Sequence, residues 1–148
     1  MATADAPRDD QHPARAASHR SVAAATAGDR EAWLACFAPD ATVEDPVGVS
    51  PLDPTGEGHR GRGAIAAFWD ESIAPMQGLR FEIHDSFACA NEVVNVATIH
   101  LTLPDGSTAR TDGAFHYTVD DDGQVTRLRA FWEVERMLAT LRPADGTG

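Results

Sequence analysis

The sequence has few cations and no long apolar run. Its 12 Lys and Arg residues stand against 23 Asp and Glu residues, which gives a formal net charge of −11. Binding to nucleic acid needs clustered Lys and Arg to neutralise phosphates, so this balance excludes DNA and RNA as expected partners. No apolar stretch approaches the ~20 residues that span a bilayer, so we expect no membrane insertion either.

Cysteines and metal-binding motifs are also scarce. Cys36 and Cys89 have neither CxxC spacing nor the density of a disulfide scaffold, and each lies in an apolar segment, so we predict buried free thiols in preference to a disulfide. His84, His100 and His116 lie on predicted strands, and the sequence contains neither an HxH nor an HExxH motif. We therefore expect no metal site.

Signals for targeting and for cofactors are missing as well. The N-terminus has no apolar segment of the kind that marks a secretory signal, so we expect a cytoplasmic protein. Gly61-Arg62-Gly63 does not follow a strand of a βαβ unit and is not a dinucleotide fingerprint. We accordingly expect the protein to work without a cofactor.

The chain of 148 residues shows no internal repeat and predicts one domain. The first residues are polar and small with two prolines, which is typical of disorder. We expect a disordered leader at residues 1–13, a single domain at 14–140 and a flexible tail at 141–148.

The first half of the chain predicts three helices. Residues 14–27 are rich in alanine, and Gly28 provides a C-terminal cap. Asp29 is a suitable N-cap for a second helix over residues 30–38. Residues 64–73 carry apolar side chains at helical spacing and predict the third helix.

The second half switches to the period-two alternation of strands. The predicted strands cover residues 79–89, 92–103, 107–119 and 124–137. Between the two halves lies a loop rich in Gly and Pro, residues 50–63, which could close over a cavity as a lid. Together these elements predict an α+β fold. We expect a cone-shaped barrel in which a curved, mixed or antiparallel sheet wraps around the three helices and leaves an internal apolar pocket.

One carboxylate invites a chemical interpretation. Asp45 ends a short strand-like segment, directly before Pro46 and between apolar neighbours that include Val47. A carboxylate beside an apolar wall can act as a general base, because desolvation raises its pKa. The alternative is a carboxylate that only forms a turn or a cap before the proline.

Four segments resemble the ketosteroid isomerases and the wider nuclear transport factor 2-like and SnoaL-like superfamily. They are Ala27-Gly28-Asp29, Phe37-Ala38-Pro39-Asp40-Ala41-Thr42-Val43-Glu44-Asp45-Pro46-Val47-Gly48, Gly61-Arg62-Gly63-Ala64-Ile65 and Arg129-Ala130-Phe131-Trp132. The resemblance runs from about Arg20 to Met137 and follows the order of elements predicted above.

The resemblance implies that Asp45 shuttles a proton between C4 and C6 of a 3-keto-Δ5-steroid. In the family, a tyrosine and a protonated aspartate stabilise the oxyanion that forms. Here Ser21 stands at the position of that tyrosine and Gly113 at the position of that aspartate. Asp112 is one residue away, which on a strand means the opposite face. Losing one such donor reduces the rate by on the order of 10²–10³.

Strand parity, the resemblance and the apolar flank of Asp45 together predict the residues that contact a substrate. They are Trp132, Tyr117, Phe115, Asn95, Trp69, Gly113 and Val47. The polar handles among them are the Tyr117 hydroxyl, the Asn95 amide and the Trp132 indole N–H.

The first hypothesis is therefore a cofactor-independent isomerase that acts on a hydrophobic polycyclic ketone. The alternatives are a pocket protein that binds steroids or polyketides without catalysis, and a SnoaL-like polyketide cyclase. The partner in each case is a small hydrophobic ligand. We also expect a homodimer through the outer sheet face around Val94, Val96 and Thr98, since superfamily members often dimerise there.

Overall fold

The computed structural model describes residues 12–144 and confirms the predicted α+β class. The first helix, α1, covers Pro13–Ala27 and ends at Gly28, which adopts the left-handed conformation (φ 70°) that favours glycine. The second helix, α2, covers Arg30–Ala35, and the Asp29 side chain caps its first turn as predicted. In this part of the chain no helix is long and apolar enough to cross a membrane.

The prediction that α2 extends to residue 38 is wrong. Phe37 is fully buried and begins the first strand, β1, which covers Phe37–Glu44. Trp33 and Phe37 are four residues apart and therefore suggest one helix face. In the structure the two rings meet from different elements, with centroids 4.7 Å apart, because the chain turns between them.

The third helix, α3, covers Gly61–Phe68 and continues as a π-helical segment over Trp69–Ile73. The predicted end of the last strand, at residue 137, is wrong. The strand stops at Phe131, and a short helix, α4, follows over Val134–Leu138. Val134, Met137 and Leu138 have the i, i+3, i+4 spacing of a helix. The period-two alternation of the residues before them made the whole segment look like one strand.

Six strands form one curved sheet. After β1 they are β2 (His59–Arg60), β3 (Gly78–Cys89), β4 (Glu92–Thr102), β5 (Thr108–Val119) and β6 (Val125–Phe131). Their order is β2-β1-β6-β5-β4-β3; β1 and β6 run parallel, and the other neighbours are antiparallel. No pattern in the sequence marks β2, a two-residue strand within the predicted loop. The helices α1 to α3 cover the inner face of the sheet, where the core lies.

The outer face of the sheet carries the charged side chains. The rings of His100 and His116 each bond a neighbouring glutamate, at 3.0 and 2.6 Å. Asp112 also faces outward, as strand parity predicts, and accepts a hydrogen bond from the Thr98 hydroxyl at 2.7 Å. Thr98 is buried beneath these contacts, so it contributes little to the apolar dimer surface that we expected there.

Both cysteines are free thiols, as predicted. Cys36 is buried at the end of α2. The prediction of burial is wrong for Cys89, which is exposed because it stands at the last position of β3, beside the hairpin turn.

The predicted bounds of the leader, domain and tail stay a prediction, and two structural features lie close to them. Helix α1 begins at Pro13, within the predicted leader, and the rest of that leader lies almost wholly outside the described residues. Arg142 exchanges two backbone hydrogen bonds with Thr108, at 3.0 and 2.8 Å, so the start of the predicted tail is paired with the sheet. Residues 145–148 lie outside the described part of the chain.

Gly113 marks the closest approach between β5 and the chain that leaves β6. A Cβ at this position would lie 2.5 Å from the Phe131 carbonyl oxygen and 3.1 Å from the Trp132 Cβ. Both contacts are closer than real Cβ atoms ordinarily make, and one of them is with the backbone. Only glycine fits here, so no aspartate can occupy this position in the same backbone.

We predict that Gly113→Ala destabilises the protein by about 1–3 kcal/mol, because the added methyl group overpacks this site. Gly63→Ala is the matched control, since a Cβ at that helical position meets nothing within 4 Å. It should leave stability unchanged or raise it by up to about 1 kcal/mol. Urea unfolding measures both free energies. Equal stability of the two variants would contradict the close approach at Gly113.

Candidate active site

An apolar cavity of about 250 Å³ lies between the inner face of the sheet and the helices. Its apolar walls include Val22, Trp33, Phe68, Ile99, Phe115 and Leu128. Its polar groups come from Ser21, Asp45, Glu71, Ser72, Thr111, Tyr117 and Trp132. A mostly apolar wall with a few polar groups is typical of a site for a small hydrophobic ligand.

Asp45 contributes a carboxylate to this cavity. It directly follows the last residue of β1, and Trp132 directly follows the last residue of β6, so the two side chains meet where the parallel strands end. The Trp132 indole donates its N–H to Asp45 Oδ1 at 2.5 Å. An indole can donate but not accept, so this bond fixes the orientation of the carboxylate and favours its ionised form.

The environment of Asp45 makes it a stronger base than an exposed aspartate. Burial among apolar groups raises the pKa of Asp45 above its ordinary value. The hydrogen bond from Trp132 and the charge of His59 oppose this rise without cancelling it. A raised pKa suits a carboxylate that has to take up and return a proton.

Tyr117, the one tyrosine of the sequence, lies in the same cavity and is only 5% exposed. Its hydroxyl hydrogen-bonds with Ser21 of α1. Burial raises the pKa of Tyr117 to about 12; the bond with Ser21 opposes this rise, and the negative charge of Asp45 adds to it. The phenol therefore stays protonated at neutral pH and can donate a hydrogen bond.

The structure brings four of the predicted site residues together. Asp45, Trp132, Tyr117 and Phe115 all line the cavity. Three elements that are distant in sequence supply them, namely the ends of β1 and β6 and the C-terminal half of β5. Gly113 is on the same strand as Tyr117, but it offers the cavity no side chain.

Trp69 and Val47 support the site from outside the cavity. Trp69 begins the π-helical segment and packs against Trp33, with ring centroids 5.1 Å apart. Because Trp33 lines the cavity, Trp69 lies behind that wall. Val47 lies beside Trp132 in a separate shallow cleft, where its N–H donates to the Ala130 carbonyl at 2.9 Å.

Asn95 has a structural position instead of the predicted position in the cavity. It faces inward as strand parity requires, but α1 covers it. Its Nδ2 donates to the Ser18 hydroxyl at 3.0 Å, and its Oδ1 accepts from the Ser86 hydroxyl at 2.8 Å. Arg15 in turn donates to Ser86 at 3.0 Å. This buried network joins α1 to β3 and β4 and occupies both ends of the amide.

The loop between β1 and β2 contributes Leu52 to the cavity wall. It is fastened by the buried Asp53 carboxylate, which accepts the Gly58 N–H at 2.8 Å and bonds to Thr55 and Gly56 at 3.1 and 3.2 Å. Desolvation opposes these bonds, yet they hold the pKa of Asp53 below its ordinary value. The loop is therefore bonded internally and forms part of the cavity wall, and its role as a lid stays a prediction.

Several cavity residues are not among the predicted site residues. Trp33 and Phe68 had a usable signal, since each stands on the apolar face of a predicted helix. Met76 and Met137 have no such signal in the sequence. Met76 follows the π-helical segment and Met137 lies in α4, and the alternation rule predicts neither of these elements. Within residues 12–144, no group of three or more His, Cys, Asp or Glu side chains could hold a metal ion.

Comparison with known proteins agrees with this geometry. A family model described as a SnoaL-like domain matches residues 19–128. The chain is 31% identical to the steroid Delta-isomerase of Nocardioides simplex, over 85% of this chain and 94% of that one.

Two solved structures are also similar. The Delta 5-3-ketosteroid isomerase of a Mycobacterium species is 38% identical, with a TM-score of 0.79 over 88% of this chain and 98% of that one. RV0760c of Mycobacterium tuberculosis, solved in complex with estradiol-17beta-hemisuccinate, is 33% identical, with a TM-score of 0.80 over 89% of this chain and 99% of that one.

The matched model covers most of the chain, and the isomerase relatives share its fold over nearly their whole length. The protein thus belongs to the SnoaL-like family of the nuclear transport factor 2-like superfamily, as a ketosteroid isomerase-like member.

Proposed function

We propose that this protein is a steroid Δ-isomerase that transfers a proton within a hydrophobic polycyclic ketone, with Asp45 as the base and without a cofactor. The observation that carries the proposal is that Asp45 and Tyr117 line one apolar cavity, with Trp132 bonded to the carboxylate. The relatives named as steroid isomerases support the same substrate class.

The proposed reaction moves a carbon–carbon double bond. Asp45 takes a proton from C4 of a 3-keto-Δ5-steroid, and the electron pair of that C–H bond moves into the ring and onto the C3 oxygen as a dienolate. The protonated Asp45 then returns the proton to C6, and the electrons return from the oxygen. The double bond leaves C5–C6 for C4–C5, and no atom is gained or lost.

The dienolate needs a hydrogen-bond donor at its oxygen, and we propose Tyr117 for this role. A buried donor aimed at a developing negative charge acts strongly in an apolar site. Ser21 occupies the family's tyrosine position on α1 but is itself bonded to Tyr117. The donor would thus come from β5, with the α1 residue orienting it.

A second candidate function is ligand binding without turnover. Gly113 specifically favours it, because the close contact with Phe131 leaves no room for the second acidic donor of the family. An apolar cavity can hold a steroid without this donor, and a similar fold was solved with an estradiol derivative bound.

Asp45→Asn should abolish isomerisation if Asp45 is the base. With 5-androstene-3,17-dione as substrate, we expect kcat to fall by at least on the order of 10²–10⁴, because a neutral amide cannot accept the C4 proton. The increase in enone absorbance measures the rate. Equal rates for the variant and the wild type would exclude Asp45 from the mechanism, and tight binding of the steroid by an inactive wild type would favour the second candidate.

Stability provides the control for this variant. Folding raises the pKa of the Asp45 carboxyl. The protonated carboxyl therefore stabilises the folded state at pH values below the ordinary carboxyl pKa. This stabilisation is lost as the pH rises through the raised pKa of the folded protein. An amide avoids that loss, and its oxygen can still accept the Trp132 N–H. Asp45→Asn should therefore be at least as stable as wild type toward urea at pH 7, which separates loss of the base from loss of the fold.

Tyr117→Phe tests the proposed donor. The ring remains and only the hydroxyl is lost, so we expect kcat to fall by on the order of 10²–10³ with little change in KM. Ser21→Ala is the matched comparison, because it removes the bond that orients the hydroxyl and keeps the hydroxyl itself; its loss should be less than about tenfold. A Tyr117→Phe rate similar to that of the wild type would assign the donor role elsewhere.

The homodimer and the cytoplasmic location stay predictions. In support of the dimer, the outer sheet face leaves Val96 and Phe131 40% and 45% exposed. These side chains border the shallow cleft beside Trp132.

A further inference from the structure

The Thr111 side chain is a buried polar group that the reaction above does not use. Thr111 lies on β5, lines the cavity and is only 4% exposed. It shares the inner face of the strand with Phe115 and Tyr117, because an even number of residues separates each of them from it. Thr111 is therefore on the cavity side of the sheet.

Thr111 differs from the other buried polar side chains of residues 12–144. The others have hydrogen-bond partners within the protein, and they are Ser18, Ser21, Glu44, Asp53, Asn95, Thr98 and Ser107. In the same part of the chain, the Thr111 hydroxyl has no partner. A buried hydroxyl without a partner destabilises a protein, and valine would fill the same space without that cost. Packing alone therefore does not account for a threonine here.

The Thr111 oxygen is also not sealed inside the protein. Among the residues that the structure describes, the fully buried and unpaired side-chain atom is the Nε2 of His59. The Thr111 oxygen therefore keeps some accessible surface, and the space on this side of the sheet is the cavity. A ligand in the cavity is the partner that this hydroxyl can still find.

The protein groups around Thr111 cannot supply that partner. Its cross-strand neighbour is Ile99, and both Ile99 and Leu101 present apolar side chains to the cavity. Two further polar side chains of the cavity, Glu71 and Ser72, belong to the π-helical segment. They are exposed and half-buried, so water can satisfy them. Thr111 is thus a dry polar group in an apolar wall.

Thr111 and Tyr117 lie on opposite sides of the base. The Asp45 carboxylate is bonded to Trp132, and the Trp132 Cβ lies 3.1 Å from the position of a Cβ on Gly113. Along β5, Gly113 is about 7 Å from Thr111 and about 13 Å from Tyr117 at the usual rise of a strand. A ligand that reaches Tyr117 with one end and passes Asp45 therefore extends toward Thr111 with the other.

We propose that the Thr111 hydroxyl binds an oxygen at the far end of the ligand, so that the cavity selects polycycles with an oxygen at both ends. The proposal rests on the proposed function for its orientation. With the C3 oxygen at Tyr117 and C4 at Asp45, the fused rings extend along β5 and bring C17 toward Thr111. A hydroxyl can donate to a ketone and accept from an alcohol, so either oxygen at C17 fits.

The selectivity follows from the dryness of this part of the cavity. A ligand with an oxygen at C17 gives the Thr111 hydroxyl its missing partner. A ligand without that oxygen fills the space and leaves the hydroxyl unpaired and shut off from water. One hydrogen bond of this kind corresponds to a difference of about three- to tenfold in affinity.

The test compares two steroids that already carry the double bond at C4–C5, so binding is measured without turnover. 4-Androstene-3,17-dione has the C17 oxygen, and 4-androsten-3-one lacks it. Quenching of tryptophan fluorescence gives both Kd values, since Trp33 and Trp132 line the cavity. Thr111→Val replaces the hydroxyl with a methyl group. We expect it to raise the Kd of the dione by about three- to tenfold and to leave the Kd of the 3-one unchanged or lower.

Thr118→Val is the matched control for this variant. Thr118 lies on the same strand but shares the outer face with His116, so its substitution should leave both Kd values at the wild-type level. Thr111→Ser keeps the hydroxyl and should keep the wild-type ratio of the two Kd values. Thr111→Ala loses the hydroxyl in a smaller side chain and should change that ratio in the same direction as Thr111→Val.

Two results would overturn the proposal. An equal rise of both Kd values in Thr111→Val would show that only packing was lost. An unchanged Kd of the dione in this variant would show that the hydroxyl makes no bond to the C17 oxygen. Urea unfolding should find Thr111→Val at least as stable as the wild type, because the substitution removes an unpaired buried hydroxyl.

The measurements also separate this proposal from the proposed function. In an active protein, Thr111→Val should raise KM for 5-androstene-3,17-dione by about three- to tenfold with kcat unchanged, because the far end of the ligand does not react. In an inactive protein, the changed ratio of Kd values still supports Thr111. An unchanged ratio overturns the role of Thr111 and leaves Asp45 as the base untouched, whereas a wild type that binds neither steroid contradicts both.

Discussion

The hydrogen bond from the Trp132 indole to the Asp45 carboxylate is the interaction on which the site depends. It forms because β1 and β6 run parallel with Glu44 paired to Arg129, so that Asp45 and Trp132, each the first residue after its strand, lie close enough for the bond. Parallel pairing requires a long connection, and the helices and the antiparallel strands β3 to β5 supply it. Those same elements enclose the cavity, so the topology that joins the two residues also surrounds them with apolar walls.

Burial and hydrogen bonding act on Asp45 in opposite directions. Apolar surroundings raise its pKa, while the indole and the nearby imidazole keep it able to ionise. The rest of the polar machinery is sparse. Tyr117 provides a neutral phenol from β5, and the close contact at Gly113 leaves no room for an aspartate at that position. The proposed enzyme therefore relies on one base and one strong donor.

Local sequence signals predicted the class of fold, the three helices of the first half and the inward face of β5. They failed where tertiary contacts decide the outcome. The spacing of Phe37 from Trp33 predicts a helix, although Phe37 is buried as the first residue of β1. Strand parity predicts that Asn95 faces the cavity, but parity does not show which element covers that face, and α1 covers this position. The orphan nitrogen of His59 depends on β2, which no sequence pattern indicated.

The most direct measurement is a label transfer. 5-Androstene-3,17-dione carrying deuterium at C4 would be converted in ordinary water, and the position of deuterium in the product would be read by mass spectrometry and NMR. A single carboxylate that carries the proton from C4 to C6 predicts deuterium at C6 in a measurable fraction of the product. Product that contains only solvent hydrogen at C6 would contradict Asp45 as the shuttle.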